Sequence, residues 1–181
     1  MRVLCLDIEG GFGGSSRSLY FSLKHLDRSN VDVSVWCKRE GPIKPLYEQV
    51  GVETVVHPVM PKVSALPRTS RNLVVFGQFA ADWVKSKAFR DAFYDALDDV
   101  DLVHFNHEAL FWLARDMKRR KPKPASMHIR TNLWPSLFAK YQCRIIAENT
   151  DARIFITENE QQSFSHHAGF PVEGDIVYNI V

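Results

Sequence analysis

The stretch Arg2-Val-Leu-Cys-Leu-Asp-Ile-Glu9, followed by Gly10-Gly-Phe-Gly-Gly-Ser-Ser16 and the amphipathic run Arg17–Leu26, decides the fold. An apolar strand leads through a glycine-rich turn into a helix. Four glycines in five positions let the backbone turn sharply and approach a ligand closely. Ser15 and Ser16 are expected to cap the helix, whose free N–H groups suit a phosphate or carboxylate. The alternative is a tight βα turn without a ligand.

The spacing of these glycines is not the dinucleotide fingerprint, because Gly11 and Gly13 are followed at position 16 by Ser rather than glycine or alanine. The chain also has Tyr20 four residues before Lys24, but this pair lies in the first helix and not at a later catalytic position. A nucleotide-sugar epimerase or dehydrogenase on a Rossmann fold is therefore disfavoured.

Length and composition indicate one globular domain over residues 1–181, since 45% of the residues are hydrophobic. The 23 basic and 21 acidic residues leave a net charge of +2. This balance lacks the broad positive footprint of a nucleic-acid-binding protein, so no nucleic-acid partner is expected.

The cysteines indicate a reducing compartment. Cys5, Cys37 and Cys143 are far apart, odd in number and without a CxxC pair, which also argues against structural zinc. No signal peptide precedes the first strand, and no apolar stretch approaches the roughly 20 residues that cross a bilayer. We therefore expect a cytoplasmic protein.

Strand patterns alternate with helical patterns along the whole chain. This alternation predicts an α/β fold: a Rossmann-like parallel sheet of about seven strands with helices on both faces. The predicted strands are Val3–Ile8, Val31–Trp36, Glu53–His57, Leu102–Phe105, Ala125–Ile129, Arg153–Thr157 and Asp175–Tyr178.

The segments between the strands carry helix and loop signals. Residues 70–98 have three- and four-residue apolar spacing and are predicted as one bent helix or two helices. Val59–Arg71 is predicted as a proline-containing loop, and Pro42 and Pro45 mark another connection. A later helix is expected to begin at a cap from Thr157 or Asn159 and to stop at Gly169.

Polar residues follow most of the predicted strands. In an open parallel sheet, ligands bind beyond the carboxyl ends of the strands, so these residues are the candidate site. They are the glycines after the first strand, then Asn106, His107, Glu108, His128, Arg130, Thr131, Asn132, Glu158, Asn159 and Asn179.

Six segments carry a family resemblance through their order and spacing. They are Gly13-Gly14-Ser15-Ser16-Arg17-Ser18-Leu19, Leu46–Val52, Asp101-Leu-Val-His104-Phe-Asn-His107-Glu108, Ser126-Met-His128, Asp151–Thr157, and Gly169-Phe170-Pro171 through Asn179. Together they resemble the N-terminal domain of a GT-B glycosyltransferase, most closely glycosyltransferase family 4. The likeness runs over essentially all 181 residues.

The resemblance implies the acceptor-binding N-terminal domain of a retaining, sugar-nucleotide-dependent glycosyltransferase that acts on a glycan or a lipid-linked acceptor. In this family a second domain, absent from this chain, holds the sugar nucleotide, so the isolated domain is expected to be inactive. No cofactor and no metal are expected. Asp99-Val-Asp101 imitates the metal-binding DxD of the other large glycosyltransferase fold but precedes its strand.

The resemblance also assigns roles to single residues. The turn at Gly13, Gly14 and Ser15 would approach the diphosphate of the nucleotide sugar, and His128 would lie against the transferred sugar as the catalytic residue. Arg130 and Asn132 would contact acceptor or phosphate. The structural alternatives are a helix-capping turn and a satisfied core histidine.

The remaining candidates are His107, Glu108, Glu158 and a basic run. His107 and Glu108 would bind acceptor hydroxyls, or else form a polar pair at the start of the next helix. Glu158 is a substrate-binding candidate from its place after the sixth strand. The basic residues of 115–123 are expected to form a solvated helix end, with contact to an anionic membrane surface as the alternative.

Two alternatives to a complete transferase domain also stay open. One is a self-standing Rossmann-like module that binds a small anionic ligand, and the other is half of a split glycosyltransferase that a partner chain completes. Continuation of the reading frame into a second α/β domain would favour the transferase.

Overall fold

The computed structural model describes residues 1–63 and 73–178. Its strands are β1 (Arg2–Asp7), β2 (Asp32–Cys37), β3 (Glu53–Val56), β4 (Leu102–Phe105), β5 (Ala125–Ile129), β6 (Ala152–Phe155) and β7 (Asp175–Ile176). Its helices are α1 (Gly14–His25), α2 (Ile43–Gln49), α3 (Leu73–Lys85), α4 (Lys87–Ala96), α5 (Phe111–Arg120), α6 (Leu137–Asn149) and α7 (Glu158–Ala168).

The seven strands form one parallel sheet in the order β3-β2-β1-β4-β5-β6-β7. The predicted Rossmann-like α/β class is therefore confirmed, and the predicted bounds of β4 and β5 are exact. The strand order reverses direction between β1 and β4. In this fold class the crevice at such a switch point is where ligands bind.

Two apolar clusters cover opposite faces of the sheet. On one face Leu19 of α1 and Tyr47 of α2 pack with alternate residues of β1 and β2, such as Cys5 and Val35. On the other face α4, α5, α6 and α7 pack around Phe105 and Met127. Because side chains alternate along each strand, β1 contributes to both clusters and is buried on both faces.

Serine capping of α1 is wrong. The helix begins at Gly14, and its N-cap is Gly13, which supplies no side-chain hydrogen bond. Ser15 and Ser16 therefore lie within the first turn, and the Ser16 hydroxyl is buried without a hydrogen-bond partner among the described residues. No side chain caps the N–H groups at the start of α1, since the N-cap residue is a glycine.

The glycine-rich turn owes its shape to close packing rather than to left-handed geometry, because neither Gly10 nor any glycine up to Gly14 has a positive φ. A Cβ atom at Gly10 would lie 2.2 Å from the Arg39 carbonyl oxygen, and one at Gly41 would lie 2.0 Å from the Gly10 carbonyl oxygen. At Gly13 and Gly14 a Cβ would meet nothing within 4 Å. The fold thus requires Gly10 but leaves the Gly13–Gly14 pair open on its outer side.

Gly10→Ala is expected to lower the free energy of unfolding by about 1–3 kcal/mol, because the new methyl group overlaps backbone that cannot move freely. The matched control is Gly14→Ala, which adds the same methyl group in open space within a helix and should leave stability unchanged or slightly higher. Urea unfolding of the two variants measures the difference. Equal stabilities would contradict the packing described for Gly10.

The helix ends test further predictions made from local sequence signals. Thr157 caps α7 in a capping box with Glu160, and Gly169 ends the helix with a φ of 87°, as predicted. The connection marked by Pro42 and Pro45 instead contains α2, whose third residue is Pro45. Proline is tolerated there because first-turn N–H groups have no partner within the helix.

The segment predicted as one bent helix or two is two helices, α3 and α4, separated by Ser86. Most of the predicted loop Val59–Arg71 lies outside the described residues, and its described part, 59–63, has no helix or strand. No helix within the described ranges is long and apolar enough to cross a membrane.

Candidate functional site at the carboxyl edge of the sheet

Several candidate residues meet where β1, β4 and β5 end. The link between the glycine-rich turn and β4 is Asn106, whose Nδ2 donates to the Ser15 carbonyl oxygen at 3.2 Å and lies 3.5 Å from Asp7 Oδ1. The link between β4 and β5 is Arg130, whose Nε donates to the Asn106 carbonyl oxygen at 2.9 Å. The structure thus brings Ser15, Asn106 and Arg130 together at this edge, whereas Asn179 lies outside the described residues.

Asp7 and Tyr47 belong to this network, and sequence reasoning missed both. Asp7 is fully buried at the end of β1, and the Tyr47 hydroxyl of α2 donates to its Oδ2 at 2.9 Å. The same hydroxyl lies 3.1 Å from the Ser16 carbonyl oxygen. Burial and the neighbouring carboxylate raise the pKa of Tyr47. The pair holds α1 and α2 against the end of β1. Its only signal in the sequence was an acidic residue at the end of an apolar strand.

Three contacts with Asn106 and His128 hold the Arg130 side chain. Its Nη2 donates to Asn106 Oδ1 at 2.6 Å and lies 2.9 Å from His128 Nδ1, while Nε bonds the Asn106 carbonyl. Burial lowers the pKa of Arg130 to about 10, against the opposing effect of Glu108. The side chain therefore remains cationic at neutral pH. Its Nη1 is buried and has no partner among the described residues.

The contact with Arg130 fixes the protonation of His128. A guanidinium only donates hydrogen bonds, so His128 Nδ1 must accept, and the proton of the neutral ring lies on Nε2. Burial, aided by Arg130, lowers the pKa of His128 from 6.5 to about 2, so the ring is neutral at any working pH. Nε2 is buried without a partner in the described part of the chain. The site therefore presents a neutral N–H donor with no acceptor.

His128 and Arg130 line one cleft of about 320 Å³ on the α1 side of the sheet, which is mostly apolar and extends along the strands to Met1, Leu26 and Leu102. Its walls include Leu19 and Leu23 of α1, and its floor includes His104, Ser126 and His128. His104 Nδ1 lies 2.9 Å from Ser126 Oγ, and burial lowers its pKa to about 4. Buried donors without acceptors are uncommon in folded proteins, and they suit an oxygen-rich ligand such as a phosphate.

Glu108 organises the loop after β5. It is 1% exposed, and its carboxylate accepts from the Arg130 backbone N–H at 3.0 Å and from the Thr131 hydroxyl. His107 Nδ1 accepts from the Ala109 backbone N–H at 3.0 Å and so caps the short 3-10 turn that precedes α5. Neither residue lines that cleft; both line a second cavity of about 230 Å³, and these contacts give them positioning roles.

Asn132 and Glu158 lie apart from this network. Asn132 is exposed on the loop after β5, and Glu158 is the exposed first residue of α7. Neither makes a hydrogen bond to the other candidates within residues 1–63 and 73–178. Their assignment to substrate remains a prediction.

The low pKa values of His104 and His128 predict acid sensitivity. As the pH falls below about 6.5, these two histidines become protonated in the unfolded chain. In the folded chain they stay neutral until the pH approaches their pKa values of about 4 for His104 and about 2 for His128. As the pH falls from about 6 to about 4.5, each histidine should thus lower the free energy of unfolding by about 1.4 kcal/mol per pH unit. Urea unfolding of the wild type and His128→Asn measures this slope, which should be smaller in the variant. An unchanged slope in the variant would contradict the lowered pKa of His128.

A doubly wound parallel sheet with polar side chains beyond its carboxyl ends defines the Rossmann-like α/β class. The model of glycosyltransferase family 4 matches residues 12–181 of the chain. The chain belongs to this family. No curated protein sequence matches it.

Solved structures with the same fold include GT-B glycosyltransferases. HepE of Anabaena, in complex with UDP and glucose, has 20% identity and a TM-score of 0.68, with 100% of this chain and 45% of HepE covered. MurG of Acinetobacter baumannii has 14% identity and a TM-score of 0.59, with coverage of 98% and 44%. The lipopolysaccharide outer core galactosyltransferase WaaB has 14% identity and a TM-score of 0.56, with coverage of 100% and 46%. The chain thus spans less than half the length of these structures.

Proposed function

We propose that this domain is the acceptor-side half of a retaining, sugar-nucleotide-dependent hexosyltransferase that builds a glycan. The observation that carries the proposal is a pair of buried donors without acceptors among the described residues, His128 Nε2 and Arg130 Nη1, on side chains that line one cleft over β1, β4 and β5. The UDP and UDP-glucose bound to HepE support a nucleotide-sugar donor. The acceptor in this proposal is a glycan or a lipid-linked molecule.

The geometry suggests how these groups would act. The Nε2–H of neutral His128 would donate to an oxygen of the transferred sugar without adding positive charge beside a cationic transition state. Arg130, held by Asn106, would face a phosphate oxygen as charge develops on the leaving group. The uncapped start of α1 at Gly13–Ser15 would direct its N–H groups at the same diphosphate.

The function of the isolated 181 residues is a separate part of the proposal. Because the chain covers 45% of HepE, we propose that sugar-nucleotide binding needs a second domain and that this half is inactive alone. A stand-alone binding module and half of a split transferase are the alternatives. Only the enzyme would release a nucleoside diphosphate from a sugar nucleotide.

The test is a panel of UDP-, GDP-, ADP- and dTDP-sugars incubated with the full-length protein, with free nucleoside diphosphate as the readout. Release from one or a few of them, stimulated by a glycan acceptor, is expected. A folded full-length protein that binds and consumes none of them would contradict the proposal.

Transfer is expected to proceed without a metal, because the charge of the leaving diphosphate would be met by Arg130 and the α1 N–H groups. Activity in the presence of EDTA should stay within about twofold of the untreated enzyme, since no Lewis acid is invoked. Loss of activity in EDTA, restored by Mg²⁺ or Mn²⁺, would contradict this part of the account.

A cytoplasmic location is proposed because the three cysteines are free and buried. Peripheral contact with anionic lipid through residues 115–123 is a further proposal. In the structure Lys118 pairs with Asp151 at 2.8 Å and Lys121 with Asp98 at 2.6 Å, which favours the solvated helix end. Flotation with phosphatidylglycerol vesicles separates the two interpretations.

A further inference from the structure

Asn106 joins the two groups that are proposed to meet the diphosphate. The residue directly follows β4 and is fully buried. Its Nδ2 donates to the carbonyl oxygen of Ser15, in the first turn of α1, at 3.2 Å, and its Oδ1 accepts from Arg130 Nη2 at 2.6 Å. Its backbone carbonyl oxygen also accepts from Arg130 Nε at 2.9 Å. One buried residue therefore fixes the start of α1 relative to the guanidinium.

The amide group of Asn106 suits both contacts. The Arg130 guanidinium only donates hydrogen bonds and the Ser15 carbonyl oxygen only accepts them, so the side chain between them must accept on one side and donate on the other. A carboxylate would accept from Arg130 but would turn a second oxygen towards the Ser15 carbonyl. Because Asn106 Nδ2 lies 3.5 Å from Asp7 Oδ1, a carboxylate at this position would also place two negative charges together. An aspartate of the same shape therefore does not fit as the asparagine does.

A second contact holds the same turn of α1. The hydroxyl of Tyr47, which is fully buried on α2, lies 3.1 Å from the Ser16 carbonyl oxygen and donates to Asp7 Oδ2 at 2.9 Å. Two adjacent carbonyl groups of the first turn are thus held by side chains from other elements. The N-cap Gly13 supplies no side-chain hydrogen bond to the N–H groups of this turn. The turn is therefore held through its carbonyl groups, while its N–H groups are the ones proposed to meet the diphosphate.

We propose that Asn106 is a positioning residue, which sets the separation between the start of α1 and Arg130 so that both groups meet one diphosphate. The inference rests on the proposed function and adds a residue that acts through the two groups it holds. A misplacement of about 1 Å in a group that stabilises the transition state costs up to about two orders of magnitude in rate. Loss of the Asn106 amide should therefore affect transfer and diphosphate binding, and should spare binding of the nucleoside.

The test uses the full-length enzyme with a sugar nucleotide that it consumes. Asn106→Asp keeps the size of the side chain and its contact with Arg130 but removes the donor to Ser15. It is expected to lower kcat at least about tenfold and to raise the Kd for the released nucleoside diphosphate at least about fivefold, with the Kd for the corresponding nucleoside unchanged. Initial rates and calorimetric titrations measure these quantities. A merely structural role would change the amount of folded protein and not its preference for the diphosphate over the nucleoside.

The matched control is Asn149→Asp. Asn149 also donates from its Nδ2 to a backbone carbonyl oxygen, that of Ile145, at 2.7 Å, but it does so at the last residue of α6. This variant should leave kcat and both Kd values unchanged.

An Asn106→Asp enzyme with the kcat and the diphosphate affinity of the wild type would overturn the inference, as would an equal loss of affinity for the diphosphate and the nucleoside. Where the second carboxylate beside Asp7 prevents folding, Asn106→Ser decides the matter. Its side chain is uncharged and too short to bridge Ser15 and Arg130, so the same effects are expected. Failure of the proposed function looks different, since the wild-type enzyme would then consume no sugar nucleotide.

Discussion

His128→Ala in the full-length enzyme is expected to lower kcat for glycosyl transfer by about two to three orders of magnitude. The variant removes a positioned N–H donor from the place where charge develops, and one such donor typically contributes this much to the rate. The imidazole is 6% exposed and its Nε2 has no acceptor among the described residues, so its loss is not compensated by another contact there. Initial rates with saturating donor and acceptor measure the effect.

The matched control for this prediction is His104→Ala. His104 lies on the neighbouring strand with its ring centre 6.5 Å from that of His128, and it also lines the cleft. Its Nδ1, however, is already engaged with Ser126. Its loss should reduce kcat much less than loss of His128. Near-normal turnover in His128→Ala would contradict the catalytic role proposed for His128.

Arg130→Met is expected to abolish measurable transfer and to lower the free energy of unfolding by about 2–5 kcal/mol. The variant leaves two acceptors on Asn106 and one on His128 unpaired in a buried environment. It also removes the cation expected to face the leaving diphosphate. Kinetics and urea unfolding of the same preparation measure the two effects.

Arg130→Lys separates charge from geometry. Lysine keeps the positive charge but cannot bridge Asn106 and His128 in the fixed arrangement of a guanidinium. Stability should recover in part while kcat remains at least about tenfold low. The control is Arg144→Met on α6, where the side chain is 67% exposed and pairs with Glu148. Full activity in Arg130→Lys would show that a positive charge alone is sufficient.

The order of strands and helices could be predicted because most strands are short apolar runs, of which β1 and β5 are buried on both faces. Leu102–Phe105 and Ala125–Ile129 were predicted to the residue for this reason. The α7 boundaries followed from local chemistry at Thr157 and Gly169. Errors arose where local patterns allow two outcomes, as at Pro45, which the first turn of α2 accommodates.

The position of the candidate site could be predicted from the sequence, but its hydrogen bonds could not. Parallel strands bring their carboxyl ends together, so Glu108, His128 and Arg130 were correctly expected to lie near one another. Their partners depend on contacts between distant segments. Tyr47 reaches Asp7 across 40 positions of the chain, and Asn106 reaches Ser15 across 91. No local pattern reports such pairs, nor the hydrogen bond from Arg130 that determines the tautomer of His128.

The most direct test of the central claim is the ¹⁵N NMR spectrum of His128 in the full-length protein, with and without the sugar nucleotide that it consumes. The account predicts a neutral ring with its proton on Nε2 from pH 8 to pH 5, because the pKa is lowered to about 2. It also predicts a shift of the Nε2 resonance when the donor binds. A His128 that titrates near its ordinary pKa, or an Nε2 resonance that the donor leaves unchanged, would contradict it.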